Sequence, residues 1–215
     1  MIGLVKKDML VAKKTMRTYL LFLLFYFGLA VMGMFNISFV ATFACVLVMM
    51  MPVAAFSYDE QAKWDRYAMS MPLGRRAVVA ARYLFSLVLA IIATAIGTAT
   101  CVILSALERE DLVEALVTVL SSLGVGMLFA AIMLPLCYKM GAERARPYMY
   151  VVIFVPVIAL FLAYRAGVHI DLSFLDALPG AVIIGGTFAL FPLTGLLALG
   201  VSYLISCRIA AGKEY

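Results

Sequence analysis

The sequence is poor in the residues on which most catalytic sites depend. It contains one histidine, one tryptophan and four cysteines, and only 13% of its 215 residues are charged. No stretch matches the GxxxxGK[ST] loop that cradles nucleotide phosphates, and no His and Cys residues have the spacing of metal ligands. The cysteines are not paired in spacing, and one histidine excludes most hydrolytic designs. We therefore predict that the chain is not an enzyme and holds no cofactor or metal.

Long apolar runs dominate what remains. The sequence is 66% hydrophobic with a mean hydropathy of +1.10, and a membrane-spanning helix needs about 20 apolar residues. The 41 residues from Thr18 to Tyr58 carry no charge, which is about twice that length, so we predict a turn at Asn36. None of the runs alternates polar and apolar residues, which favours helices over a barrel.

The predicted fold is an all-α membrane protein with six transmembrane helices in a single transmembrane domain, residues 1–215. The predicted spans are residues 19–35, 37–57, 83–107, 115–138, 147–164 and 181–207.

Basic residues fall almost entirely on one side of these spans. Fifteen of the seventeen Lys and Arg residues precede span 1, follow span 6, or lie between spans 2 and 3 or 4 and 5. The other side carries Arg109 and Arg165 among six acidic residues. The positive-inside rule then predicts a multi-pass plasma-membrane protein with both termini in the cytoplasm. The net charge of +5 is explained by this topology, so lipid rather than nucleic acid is the expected partner.

Residues 1–17 have the pattern of an amphipathic helix. One stripe carries apolar residues at alternating spacings of three and four, namely Ile2, Val5, Met9, Ala12 and Met16. Lys6, Lys13 and Arg17 lie beside that stripe, which predicts an interfacial helix in the plane of the membrane. Two roles stay open for it, an anchor to anionic lipid and a mechanical part of a moving assembly.

A second amphipathic segment, SYDEQAKWDRYAMSMPLGRR, joins spans 2 and 3 on the predicted cytoplasmic side. One helix face would carry Trp64, Tyr67, Ala68 and Met71. Asp59 and Lys63 have the spacing of a favourable i, i+4 ion pair, and Pro72 ends the helix. We predict a helix of about 12 residues that docks a partner. The alternative is a membrane-surface helix with interfacial Trp and Tyr side chains.

The whole arrangement resembles the short six-span permease subunits of type-2 ABC exporters. The resemblance covers nearly the whole chain and rests on the amphipathic N-terminal helix, two spans, YDEQAKWDRYAMSMPLGRR, and the later YKMGAERARP. It is closest to the subgroup that includes bacterial exporters of phenol-soluble modulins and antimicrobial peptides. It implies a pair of permeases, formed with a second copy or a paralogue, and separate ABC ATP-binding subunits that carry ATP and Mg. The short segment between spans 5 and 6 argues against recognition by a large outer domain.

The resemblance also implies which residues contact the ATPase. The helix around Trp64 would be a coupling helix seated in a groove of the ATP-binding subunit, and residues 139–146 would make a smaller contact. The implied coupling residues are Asp59, Glu60, Lys63, Trp64, Asp65, Arg66, Tyr67, Met71, Glu143 and Arg144. The leading hypothesis is a permease of an ATP-driven exporter that moves an amphipathic or hydrophobic substrate, with peptides as candidates, out of the cell.

Two other classes of function are weighed against this hypothesis. A non-transporting membrane scaffold or immunity protein would bind a cytoplasmic partner through the same helix, and stimulation of ATP hydrolysis would separate it from a permease. A secondary carrier or channel would transport without ATP. The lack of an ionisable residue in the middle of any predicted span argues against that last class.

Overall fold

The computed structural model describes residues 2–64, 68, 74–108, 110–166 and 180–212. Over this part of the chain the structure is helical, with six long elements and no strand. They are α1 Ile2–Val31, α2 Ile37–Gln61, α3 Arg75–Ala106, α4 Leu112–Met140, α5 Ala142–Arg165 and α6 Gly180–Gly212. Each of the six includes a stretch long and apolar enough to cross a membrane, which confirms the prediction of an all-α protein with six spans.

Helix α4 forms the centre of the bundle. It packs most extensively against α6 and α2, and it also contacts α3 and α5. Two glycines allow this close approach: a Cβ on Gly124 would lie 2.5 Å from the backbone of Phe191, and one on Gly126 would lie 3.0 Å from the Cys45 carbonyl oxygen. Small residues let the backbones of membrane helices pack together where the hydrophobic effect supplies no force between them.

Helix α5 lies at the periphery. Only Ala142 and Ala145, both in its first turn, are buried, and the helix contacts α4 and, more weakly, α2. Its exposed residues are large and apolar, among them Phe154, Ile158 and Phe161. Lipid tails or another apolar helix can cover such a surface, whereas water cannot do so without a large free-energy cost.

The N-terminal region differs from the prediction. Helix α1 continues from Ile2 to Val31 without a break, so no boundary separates an interfacial helix from the first span. No Gly or Pro interrupts the sequence between Gly3 and Gly28, and nothing in it ends a helix near Thr18. At about 1.5 Å per residue α1 is about 45 Å long, roughly 15 Å more than the hydrocarbon layer. The structure therefore does not support the in-plane helix predicted for residues 1–17, since residues 2–17 form the first half of α1.

Other boundaries also shift. The predicted turn at Asn36 is confirmed, since Asn36 directly precedes α2. Helix α2 then passes the expected end at Ser57 and ends at Gln61, while α3 begins at Arg75 rather than at Tyr83. Both extensions carry charged residues, which a hydropathy argument places outside the spans.

Candidate coupling site at the basic end of the bundle

One end of the bundle joins all six helices. There α1, α3 and α5 begin, and α2, α4 and α6 end; we call it the basic end because most of the Lys and Arg residues lie there. Polar contacts between helices tie α1 to α2 and α3, α2 to the start of α5, and α3 to the end of α6. The implied coupling residues that the structure describes all lie in segments at this end: Asp59, Glu60, Lys63, Trp64, Glu143 and Arg144.

Four charged side chains form a cluster between α1, α2 and α3. Asp8, Asp59 and Arg82 are only 4%, 5% and 6% exposed. Lys7 Nζ lies 2.9 Å from Asp8 Oδ1 and 2.7 Å from Asp59 Oδ1. Arg82 donates a hydrogen bond from Nη2 to Asp59, and its Nη1 lies 3.2 Å from Asp8 Oδ2. The cluster contains two cations and two anions, so each buried charge faces an opposite charge, which offsets the cost of removing it from water.

The contact between Arg82 and Asp8 is electrostatic rather than a well-formed hydrogen bond. Arg82 Nη1 is buried and has no hydrogen-bond partner in the part of the chain that the structure describes, although Asp8 lies within ion-pair distance. The guanidinium also lies over the Phe56 ring, with 4.5 Å between its central carbon and the ring centre. Asp59 is therefore the strongest partner of Arg82.

Trp64 contacts the same cluster from outside. Lys7 Nζ lies 4.4 Å from the centre of the Trp64 ring, within the range of a cation–π interaction. Trp64 is half-buried and helical. Ala68, farther along the segment, is also helical and is buried. Four of the implied coupling residues, Asp65, Arg66, Tyr67 and Met71, lie outside the described residues. The extent of the coupling helix therefore stays a prediction.

The predicted ion pair between Asp59 and Lys63 is wrong. Asp59 lies in the last turns of α2 and binds Lys7 and Arg82. Lys63 follows the end of that helix with a φ of 51°, in the left-handed region, and is exposed. The two residues therefore do not share the continuous helix that an i, i+4 pair needs.

Glu60 connects the two implied coupling segments. Its Oε2 accepts hydrogen bonds from the backbone N–H groups of Ala142, at 2.8 Å, and Glu143, at 3.4 Å. These are orphan donors in the first turn of α5, so the carboxylate caps that helix and complements its dipole. The preceding Gly141 has a φ of 85°, and a Cβ there would lie 2.7 Å from Glu60 Oε1. Glycine thus provides both the turn and the room for the cap.

Two further contacts hold the segments around this cap. Arg146 donates from Nη2 to Ser57 Oγ at 3.0 Å, which adds a second link between α5 and α2. Arg75 donates from Nη1 to the carbonyl oxygen of Ala211 at 2.9 Å, at the C-terminus of α6. An arginine at this position satisfies a terminal carbonyl and complements the negative end of the helix dipole.

The implied coupling residues thus fall into different environments. Asp59 is buried inside the charge cluster and does not reach the surface, whereas Lys63, Glu143 and Arg144 are exposed and Trp64 is half-buried. Lys6, Lys13 and Arg17 lie on the exposed side of α1. Sequence reasoning missed Lys7 and Arg82 as partners of Asp59, and it missed Asp8 as the second acid of the cluster. One signal was present, because Asp8 is the only acidic residue before Asp59 and lies among five cations.

The fold and this site define a multi-pass helical membrane protein whose basic groups gather at one end. The chain belongs to the ABC-2 transporter family: the family model described as "ABC-2 family transporter protein" matches residues 3–211, nearly the whole chain. No curated protein matches it. Family membership confirms the broader part of the resemblance, an ABC-2 permease in a membrane. The narrower subgroup of modulin and peptide exporters stays a prediction.

Proposed function

We propose that this chain is the permease subunit of an ATP-driven exporter and that a separate ATP-binding subunit docks on its basic end. One observation carries the proposal beyond family membership. The Glu60 carboxylate binds the first turn of α5, so the end of α2, which leads into the first implied ATPase contact, lies against the start of the second. The positive-inside rule places this basic end in the cytoplasm, where ATP and Mg are available to the partner.

The charge cluster gives the docked subunit a route to the spans. In this proposal the ATPase groove holds the helix around Trp64, which contacts Lys7 of α1. Lys7 in turn binds Asp59 of α2, and Asp59 binds Arg82 of α3. Movement of the docking helix is thus passed to three helices through charge contacts that are costly to break in a low-dielectric site.

In this proposal the docking surface consists of two contacts. Lys63 and Trp64, together with Asp65, Arg66, Tyr67 and Met71 farther along the sequence, form the larger contact. Glu143 and Arg144 at the start of α5 form the smaller one. Asp59 is buried and Glu60 caps α5, so in this proposal they hold the two contacts in place through their bonds to neighbouring helices.

The substrate and the second permease are the remaining parts of the proposal. An amphipathic or hydrophobic substrate, with peptides as the leading class, suits a bundle whose spans lack mid-membrane charge. A second copy or a paralogue would complete the transporter. Of the six described helices, α5 has the smallest buried share of its span, and its exposed apolar face supports such a pairing.

Co-purification with the ATP-binding subunit encoded beside this chain tests the docking assignment. We expect Trp64→Ala and Arg66→Glu to reduce the amount of ATPase retained by about tenfold, since aromatic and Arg anchors carry most interface energy. Glu108→Gln, an exposed position at the opposite end, is the matched control and should retain it. Undiminished retention by both docking variants would show that the assignment is wrong.

ATP turnover in lipid separates the proposal from the scaffold or immunity hypothesis. A permease should stimulate hydrolysis by the bound ATPase, and that stimulation should rise further with substrate. Binding without any change in hydrolysis would favour the scaffold.

A further inference from the structure

A cleft opens between α3 and α6 at the basic end. Its volume is about 340 Å³, and it is lined by Arg76, Tyr203, Leu204, Cys207, Arg208 and Ala211. Two of these six side chains are guanidinium groups, and none is acidic. The remaining walls are apolar or aromatic, so the cleft combines positive charge with a surface suited to hydrocarbon.

Among the described residues, the two arginines differ from their neighbours in having no hydrogen-bond or ion-pair partner. Arg75 caps α6 and Arg82 belongs to the charge cluster. Arg76 and Arg208, by contrast, make no hydrogen bond or ion pair with any other residue that the structure describes. Both are exposed. Two unpaired guanidinium groups on one cleft are suited to an anion, above all to a phosphate, which they can bind through paired N–H donors.

An exposed apolar stripe on α6 leads directly to Arg208. It consists of residues 57% to 63% exposed, at spacings of three and four: Leu190, Leu193, Leu197, Val201 and Leu204. Arg208 follows Leu204 by one more step of four. The opposite face of α6 is buried and mostly small, with Gly195, Leu199, Ser202, Ser206 and Ala210. The stripe is about 21 Å long, enough for an acyl chain in one leaflet of a bilayer about 30 Å thick.

We propose that this cleft binds an anionic phospholipid. The phosphate lies between Arg76 and Arg208, and one acyl chain lies along Leu204, Val201 and Leu197. The absence of an acidic lining residue favours an anionic head group over a zwitterionic one. The bound lipid bridges the start of α3 and the end of α6, beside the hydrogen bond from Arg75 to Ala211. This inference rests on the cleft and does not depend on the proposed exporter function.

Quenching of a single tryptophan by brominated lipids tests the site. Trp64 is the only tryptophan in the chain, so Trp64→Phe combined with Leu204→Trp places one reporter at the cleft. The full-length protein is placed in phosphatidylcholine nanodiscs that contain either brominated phosphatidylglycerol or brominated phosphatidylcholine. We expect the anionic lipid to reach half-maximal quenching at about one thirtieth of the mole fraction that phosphatidylcholine needs, because two basic residues at about 1 kcal/mol each give about a 30-fold preference.

Charge-matched variants separate a specific site from general attraction to the basic end. Arg76→Gln with Arg208→Gln should abolish the preference, and Lys6→Gln with Lys13→Gln, which removes the same charge from exposed α1 positions, should keep it. Arg76→Lys with Arg208→Lys guards against misfolding and should keep part of the preference, because the charge is retained.

Three results would overturn the proposal. Equal quenching by the two lipids would show that the cleft does not select anionic head groups. A preference that survives the Gln variants would place its origin elsewhere. Quenching by neither lipid would mean that a second copy of the chain covers this face of α6.

Discussion

The basic end holds its helices together in two different ways. Where α1, α2 and α3 meet, four charges are packed together, and three of them are almost completely buried. Where α2 meets α5, one exposed carboxylate, that of Glu60, binds two backbone N–H groups. Buried charges are costly to separate because each then lacks both water and its partner. An exposed cap can exchange its hydrogen bonds with water at small cost. The first junction is therefore suited to transmitting force, and the second to opening and closing.

Loss of one buried charge should have the largest effect. Asp59→Asn removes the strongest partner of Arg82 and a partner of Lys7. We expect a loss of about 3–5 kcal/mol in the free energy of unfolding, measured by denaturant titration of the purified protein in detergent. Glu143→Gln removes an exposed acid at the same end and should change stability little. Equal stability of the two variants would show that removing the buried charge costs no more than removing an exposed one.

Removing the opposing charge as well should restore part of the loss. Arg82→Met in the Asp59→Asn background leaves Lys7 and Asp8 paired at 2.9 Å. It also removes the guanidinium that Asp59→Asn alone leaves buried without its hydrogen-bonded carboxylate. We expect the double variant to regain about half of the stability lost in Asp59→Asn, since contacting residues are not additive. The same denaturant titration, arranged as a double-mutant cycle, measures the coupling. Additive losses would argue against a shared cluster.

A methyl group at Gly141 should disturb the second junction. Gly141→Ala places a Cβ 2.7 Å from Glu60 Oε1 and also forces alanine to a φ of 85°. Gly74→Ala is the matched control, because its φ of 73° is similar but no atom of the described residues lies within 4 Å of the added Cβ. We expect a loss of about 1 kcal/mol for Gly74→Ala from backbone strain and about 2 kcal/mol for Gly141→Ala, by thermal and denaturant unfolding. Equal losses would mean that the carboxylate is not needed at that position.

The smallest effect should come from the cap itself. Glu60→Gln keeps an acceptor oxygen but removes the charge that complements the α5 dipole. We expect a loss of less than about 1 kcal/mol and faster amide hydrogen exchange at Ala142 and Glu143. Exchange at Ile37, whose N–H is capped by Glu110 at the opposite end of the bundle, serves as the internal control. Unchanged exchange at the two α5 positions would contradict the capping role.

Hydropathy was sufficient to find the spans but not their ends. The apolar runs predict six helices because lipid leaves few alternatives to a helix. The same rule assigns charged residues to water. The predicted spans therefore left out Asp59 and Arg82, although α2 contains the first and α3 the second. Those residues are buried because they bind each other, and that pairing depends on how α2 packs against α3. The sequence alone does not show how two helices align along their lengths.

The sequence predicted which segments form the candidate site but not which of their residues contact each other. The motif around Trp64 and the segment 139–146 were both identified, yet their connection through Glu60 joins residues far apart in the chain. The amphipathic pattern of residues 1–17 predicted burial of the apolar stripe and not of Asp8. The structure instead buries Leu4, Asp8 and Ala12, which repeat every fourth residue along α1.

Because α1 is one continuous helix, it can move as a single rigid unit. Its first half carries Lys7 beside Trp64, and its second half contributes Leu23 and Ala30 to the core of the bundle. A continuous helix bends little along its length. In the proposed exporter, a sideways push on Trp64 would therefore tilt α1 as one body about its buried contacts and displace Val31, which lies at the opposite end of the helix. Two separate elements joined by a bend would have absorbed that motion at the joint.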